Sequence, residues 1–329
     1  MTTHSPDTKS VTLGYVGIIV AVVIWAGWIV ATRAAMNASY APFDVALLRY
    51  GIPAVMLAPI WLRKGVFPKG ESPLLLTIMT VGWGGPFVVL ISNGLQTVPA
   101  SLFGPLVPGL LPMVVAFWGL AIDRERINGM RWVGLFFIAA AVALVVGPAA
   151  LGADGAGFLS GVPWLLTACL GWSAFTIAFR NTGLSGLESA AYVCLYSAPF
   201  LLLATFLFGT DLDQFTGVDV LTQGFVQGVL SGTISVAAYG FAVKTLGLAR
   251  ASAFTSLVPV LATIGGWWFL HETVSMAGWA AAVSACIGVL LVNRAASRPA
   301  PAIISRSCAR VTMAALVRTG FSNSISSFV

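Results

Sequence analysis

The stretch LGYVGIIVAVVIWAGWIVATR, residues 13–33, decides the fold. No formal charge interrupts it before Arg33, and the hydrocarbon core of a bilayer takes about 20 helical residues. No small-residue cleavage site follows the apolar run, so it reads as a membrane span and not as a removable leader. The rest of the chain has the same character. Of its 329 residues 58% are hydrophobic and 9% charged. A soluble protein carries about 25% charged residues, so this chain cannot cover itself with a wetted surface.

Spans of that length use nearly the whole chain up to Arg294. The apolar runs predict ten: 13–32, 43–62, 74–96, 100–122, 132–151, 161–179, 189–208, 224–243, 251–270 and 274–292. Helices are the open-ended way to satisfy backbone polar groups in lipid, so the expected class is an all-α integral membrane protein. Lys and Arg in short loops set orientation. Lys9, Arg63, Lys64, Lys69, Arg124, Arg126, Arg131, Arg180 and Arg250 fall on one side, with the tail arginines from Arg294 to Arg318. Asp154, Asp211, Asp213 and Asp219 fall on the other. Both termini are therefore expected in the cytoplasm, and Arg33 is the exception.

The chain also repeats itself. Trp25 and Arg33 recur as Trp172 and Arg180 at an offset of 147 residues. Ala100, Ser101, Phe103 and Pro108 recur as Ala251, Ser252, Phe254 and Pro259 at an offset of 151. Glu125 and Trp132 recur as Glu272 and Trp279, again at 147. A repeat with an odd number of spans enters the membrane the second time from the opposite face. The expected architecture is two inverted five-helix repeats, a common plan of secondary transporters. Inversion also explains Arg33, which must sit at the opposite membrane face from Arg180. The expected organisation is a cytoplasmic segment over 1–12, repeats over 13–151 and 161–293 joined by a linker at 152–160, and a disordered cytoplasmic tail over 294–329. A short amphipathic stretch lies at 311–317.

The net charge of +6 is carried by short loops. No basic stripe with interleaved aromatics lies outside the apolar segments, so no nucleic-acid partner is expected. Cys169, Cys194 and Cys286 lie in apolar runs and Cys308 in the tail, without metal or redox spacing. No cofactor and no metal are expected. There is no G-x-x-x-x-G-K-[ST] phosphate loop and no catalytic constellation, so neither ATP hydrolysis nor an enzyme is expected. No Asp or Glu lies mid-membrane and the two histidines sit at His4 and His271. That argues for passive uniport or unconventional coupling over an ordinary proton relay.

Transporter sites favour interrupted helices near the midplane. Pro105, Pro108 and Pro112 interrupt the fourth span, and Pro259 the ninth. The third span carries Gly82, Gly84, Gly85 and Pro86. Gly224, Gly228 and Gly232 share one face of the eighth span, a spacing that lets helices approach closely. Trp25, Trp28 and Trp172 lie mid-span, where tryptophan is unusual; they either pack in the core or form a stacking wall. Asn93, Gln96, Ser231, Thr233 and Tyr239 are polar candidates. Arg49 lies about two turns into the second span, where a charge is a functional hypothesis by default, although an arginine can also snorkel outward.

These residues resemble the EamA type of the drug/metabolite transporter superfamily. The resemblance runs from Leu13 to Arg294. It rests on W-A-G-W-I-V-A-T-R in the first span and L-L-R-Y at residues 47–50. It rests also on the proline-containing fourth and ninth spans, followed by R-E-R at 124–126 and H-E-T at 271–273. The resemblance implies a basket of ten helices whose first, third, fourth, sixth, eighth and ninth line the cavity. The chain is similar to bacterial members that export aromatic and other neutral amino acids. In these a sixth-span tryptophan, here Trp172, lines the cavity. Their third span is usually aromatic and polar where this chain reads W-G-G-P-F at 83–87. The expected substrate-contacting set is Trp25, Trp28, Arg49, Gly84, Pro86, Asn93, Phe103, Val107, Pro108, Trp172, Tyr239, Phe254 and Pro259. The expected activity is export of amino acids or related small metabolites across a bacterial plasma membrane, by a monomer surrounded by lipid; the alternatives are export of other metabolites or drugs on the same fold, and a non-transporting membrane scaffold or receptor.

Overall fold

A computed structural model describes residues 8–122, 127–151 and 155–296. Every regular element among them is a helix. A helix pairs its own backbone donors and acceptors, as hydrocarbon requires. Among the described residues nine stretches are long and apolar enough to cross a membrane, and a helix pair bent by 58° makes a tenth when taken as one span. Large apolar side chains such as Phe206, Leu207, Trp268 and Phe269 are exposed on the outside of the bundle, where lipid is their natural contact.

The first half comprises α1 (Thr8–Asn37), then α2 (Pro42–Met56) bent into α3 (Ala58–Lys64). It continues through α4 (Pro73–Trp83), α5 (Gly85–Leu95), α6 (Ala100–Leu106), α7 (Leu111–Ile122) and α8 (Gly129–Leu151). The second half opens with α9 (Gly155–Arg180) and α10 (Gly186–Phe208). Next, α11 (Gly217–Gly224) runs through a π-helical segment, Phe225–Ile234, into α12 (Ser235–Leu246). Then α13 (Leu248–Phe254) passes through a 3₁₀ turn into α14 (Val258–Phe269), and α15 (Met276–Ala296) follows.

The packing is symmetric under exchange of the halves. The first span packs on the eighth through α1 and α12, and the sixth on the third through α9 and α4. The first also touches the ninth through α14, as the sixth touches the fourth through α6 and α7. Pairs that exchange into themselves are also present: α2 on α10, and α6 on α14. In the fifth and tenth spans, Gly134 and Gly288 each lie against the other's carbonyl; an added Cβ would come within 2.9 and 2.8 Å of it. A pairing scheme that maps onto itself requires a twofold axis, and five spans per half put that axis in the membrane plane. The chain is an integral membrane protein of two inverted five-helix repeats.

Several boundaries differ from those the sequence predicts. The third span is broken at Gly84 instead of running unbroken through 74–96. There the Gly84 N–H donates to the Thr80 carbonyl at 2.8 Å and the Gly85 N–H to Ser197 Oγ of the seventh span at 3.0 Å. The break is set by a partner in another span. The eighth span is longer than 224–243 because a capping box between Thr216 and Asp219 starts the helix early. Residues 155–160 of the expected linker form the first turns of α9, and residues 8–12 are already helical. The readings on Arg124, Glu125, Arg126, Asp154, Cys308 and the tail beyond residue 296 lie outside the described residues.

The proline breaks stand where expected. The Gly109 N–H reaches back to the Gly104 carbonyl at 2.8 Å across the break between α6 and α7. Gly104 abuts Pro259, whose Cα would lie 2.5 Å from an added Cβ. The interrupted stretches of the fourth and ninth spans therefore meet each other.

Candidate functional site

Arg49 is the eighth residue of α2, about 10 Å along the helix from its start. It is 5% exposed, so it is turned into the bundle and does not snorkel. Its guanidinium carbon lies 5.3 Å from the centre of the Trp28 ring and 6.0 Å from that of Tyr50. One N–H donates to the Gln227 carbonyl at 3.2 Å, and Nε has no hydrogen-bond partner.

The local sequence explains how that carbonyl comes within reach. Gly228 and Gly232 press the π segment onto α2. An added Cβ at Gly228 would sit 2.7 Å from the Leu48 carbonyl, and one at Gly232 3.1 Å from the Arg49 carbonyl. This is close helix approach through small residues. The wider π turn, a form frequent at functional sites, carries Gln227 and Ser231. Gln227 is fully buried. Its Oε1 accepts the Trp28 indole N–H at 2.7 Å, and its Nε2 donates to Thr32 Oγ1 at 3.2 Å and Gln223 Oε1 at 3.3 Å. The magnitudes are close to balance. An arginine deep in a membrane helix costs about 2.5–3.5 kcal/mol on insertion scales. A hydrogen bond to a charged group returns roughly 1.5–3 kcal/mol, and a cation–π contact about 0.5–2 kcal/mol.

An aromatic wall continues from Arg49. Trp28 stacks on Phe87 with ring centres 6.4 Å apart, and Phe87 meets Trp172 edge-on at 5.8 Å. Trp25 leans on Tyr239 at 5.2 Å and donates its indole N–H to Ser235 Oγ at 3.0 Å. Trp28 and Phe87 are buried, while Trp25, Trp172 and Tyr239 are half-buried. The repeat partners Trp25 and Trp172 thus each meet an aromatic ring from the span they pack against, first on eighth and sixth on third, while Trp28 of the first span stacks on the third.

The remaining predicted residues are placed differently. Phe103, Val107 and Pro259 are buried where the fourth and ninth spans cross, and the Val107 carbonyl accepts the Cys169 thiol at 3.7 Å. Phe254 meets Tyr15 at 5.8 Å, away from the Trp28 stack. Gly84 is buried against Ser197. Asn93 turns back onto its own helix, donating to the Val89 carbonyl at 2.8 Å. Pro86 and Pro108 are partly exposed beside their breaks.

Gln227, Ser235 and Phe87 are not among the residues the sequence marks as substrate contacts. A lone amide between two glycines of a small-residue face was the available signal for Gln227. Asp44 is not among them either; it is fully buried at the start of α2. The Asp44 carboxylate accepts Thr210 Oγ1 at 2.8 Å and the Asp211 N–H at 2.9 Å, tying α2 to the loop after α10. An apolar cleft of about 230 Å³, lined by Phe67, Leu76, Thr80, Val81 and Tyr196 among others, shares no residue with the wall and has no charged lining. Among the described residues no cluster of His, Cys, Asp or Glu has the arrangement of a metal site.

Ten spans in inverted halves, broken helices crossing at the centre and a buried cation beside an aromatic wall are the build of a membrane transporter. The chain belongs to the EamA-like transporter family, whose profile matches residues 12–147 and again 159–294. It is 23% identical over 283 residues to the uncharacterized inner membrane transporter YedA of Escherichia coli K12, covering 82% of this chain and 87% of YedA. It is 26% identical over 215 residues to the uncharacterized transporter YvbV of Bacillus subtilis, covering 63% of this chain and 67% of YvbV. A WAT1-related chloroplastic protein of Arabidopsis thaliana is 24% identical over 264 residues, covering 77% of this chain and 63% of its own. A crystal structure aligns over 88% of this chain and 97% of its own with a TM-score of 0.58 at 18% identity, a likeness of fold.

Proposed function

We propose that this transporter exports aromatic and other neutral amino acids, or closely related small metabolites, by alternating access and without an obligatory proton. The observation that carries the reading is the aromatic wall. It draws Trp25 and Trp28 from the first span, Phe87 from the third, Trp172 from the sixth and Tyr239 from the eighth. Residues of both halves therefore meet at one place, and rocking one half against the other opens that place to either face in turn. Flat rings favour a flat or apolar side chain by stacking. The chain works as a monomer in a bacterial inner membrane with both termini in the cytoplasm. The inner-membrane placement leans on the name of YedA, and the orientation on the loop arginines and lysines.

The experiment is efflux of radiolabelled phenylalanine from proteoliposomes, with alanine and leucine alongside. Efflux above that of protein-free liposomes is expected, and it survives collapse of a pH gradient. Trp172→Ala is expected to lower phenylalanine efflux by about tenfold or more, the loss of roughly 1.4 kcal/mol of binding. Equal release from protein-free and protein-containing liposomes, or an unaltered Trp172→Ala, overturns the reading. The first result would leave a membrane receptor or scaffold as the alternative.

A further inference from the structure

We propose that Arg49 is the seat for the single carboxylate of a small organic substrate, an amino acid zwitterion or a simple monocarboxylate, whose apolar body lies along the Trp28–Phe87–Trp172 wall. The proposal deepens the transport reading above and rests on it. Its starting point is an imbalance of donors and acceptors. A guanidinium offers five N–H donors and no acceptor. Here one donor is engaged, by a neutral carbonyl, and Nε is without a partner although buried. The two ion pairs among the described residues are Arg33–Glu272 and Lys64–Glu188, and neither involves Arg49. Asp44, on the same helix, is already satisfied by Thr210 and the Asp211 N–H. Tyr50 directs its hydroxyl to the Trp83 carbonyl. Among the described residues, a cation is therefore buried with no anion paired to it.

Two further polar groups, on elements that pack against α2, also lack a partner. Ser231 Oγ and Ser92 Oγ are buried and have no hydrogen-bond partner. Ser231 lies one turn beyond Gln227 on the π segment, and Ser92 lies on α5. Both elements pack against α2. Buried polar groups are normally paired, and those left over call for an explanation. A carboxylate supplies what Arg49 lacks: negative charge and lone pairs in a plane that fits the guanidinium fork.

The chemical class follows from the charge count. One cation suits a single negative charge better than a phosphate dianion. The Trp28 ring packed over the guanidinium carries the site directly into the aromatic wall, so the ligand's body is apolar or aromatic. At 5% exposure the seat is closed to water in this conformation, and the rocking of the halves is what admits the ligand.

The test measures binding of matched pairs to the full-length protein in detergent by titration calorimetry. The pairs are phenylalanine with phenylalaninamide, and benzoate with benzamide. The carboxylate member is expected to bind at least about tenfold tighter to the wild type. In Arg49→Gln the ratio is expected to fall to about one, with amide binding changed less than about threefold. Arg49→Lys, which keeps the charge and loses the fork, is expected between the two. Unliganded Arg49→Gln is expected to melt at or above the wild-type temperature, since it removes an unpaired charge. Equal binding within the pairs, a ratio retained in Arg49→Gln, or an unliganded Arg49→Gln that melts well below wild type each overturns the seat. The last would make Arg49 a structural strut. Preference for benzoate without any amino acid binding keeps the seat and discards amino acid export. Export of phenylalanine and phenylalaninamide at one rate does the reverse.

Discussion

Arg33 of the first repeat is paired with Glu272 of the second, its Nε 3.6 Å from the carboxylate. The same carboxylate accepts the backbone N–H groups of Ala100 and Ser101, each at 2.9 Å, at the start of α6. Arg33 also donates to the carbonyls of Leu95 and Gln96 at the end of α5. One ion pair thus fastens the first, third, fourth and ninth spans at one end of the bundle, and it bridges the two halves.

Glu272→Gln removes the charge and keeps the shape. It is expected to destabilise the protein by roughly 1–3 kcal/mol, the range for leaving a largely buried charged partner unpaired. Thermal unfolding in detergent measures it. Because the tie joins halves that separate under the alternating access proposed above, the variant is also expected to raise maleimide labelling of a cysteine placed at Ser101. Unchanged melting together with unchanged labelling would show the pair to be idle.

Arg180 is the repeat partner of Arg33 and behaves differently. It is exposed, and among the described residues it has no ion-pair partner. Arg180→Gln is expected to change stability by less than about 0.5 kcal/mol, as exposed substitutions usually do. The two members of one repeat position are thereby predicted to separate in the same melting assay. A loss in Arg180→Gln as large as that in Arg33→Gln would contradict the asymmetry.

The spans, their inverted repeat and the proline breaks are legible in the sequence because each is written locally, as hydropathy or as a missing N–H. The break at Gly84 is not, since Ser197 of another span receives the freed donor. The π segment is hidden for the same reason: it forms where Gly228 and Gly232 meet α2. Trp28 and Arg49 are visible as oddities in apolar runs. That they touch, and that Gln227 joins them, depends on three spans converging.

The facing glycines of the fifth and tenth spans give a packing test. Gly288→Ala places a Cβ about 2.8 Å from the backbone carbonyl of Gly134, and backbone cannot turn aside as a flexible side chain can. Overpacking of this kind costs about 1–3 kcal/mol. Gly27→Ala is the control, because nothing lies within 4 Å of its added Cβ and alanine is the better helix former by about 1 kcal/mol. A lower melting temperature for the first and an equal or higher one for the second are expected. The reverse order would place the α8–α15 crossing elsewhere.

Gln227→Glu tests the charge balance around Arg49 from the opposite side. The substituted carboxylate keeps an acceptor for the Trp28 indole, which now bonds Gln227 Oε1 at 2.7 Å, gives up the Nε2 donations to Thr32 and Gln223, and brings a negative charge to the residue whose backbone carbonyl the guanidinium touches. An opposite charge within about 4–6 Å stabilises both charged forms. The unliganded variant is therefore expected to melt above the wild type. A transported carboxylate then has to displace an internal rival, so its affinity is expected to fall by about tenfold or more. Gln227→Leu carries neither gain: it strands the indole N–H and costs roughly 1–3 kcal/mol. Raised stability with weakened carboxylate binding in Gln227→Glu, against lowered stability in Gln227→Leu, is the expected pattern. A Gln227→Glu protein that melts below wild type and still binds benzoate at wild-type affinity would mean that Arg49 needs no counter-charge.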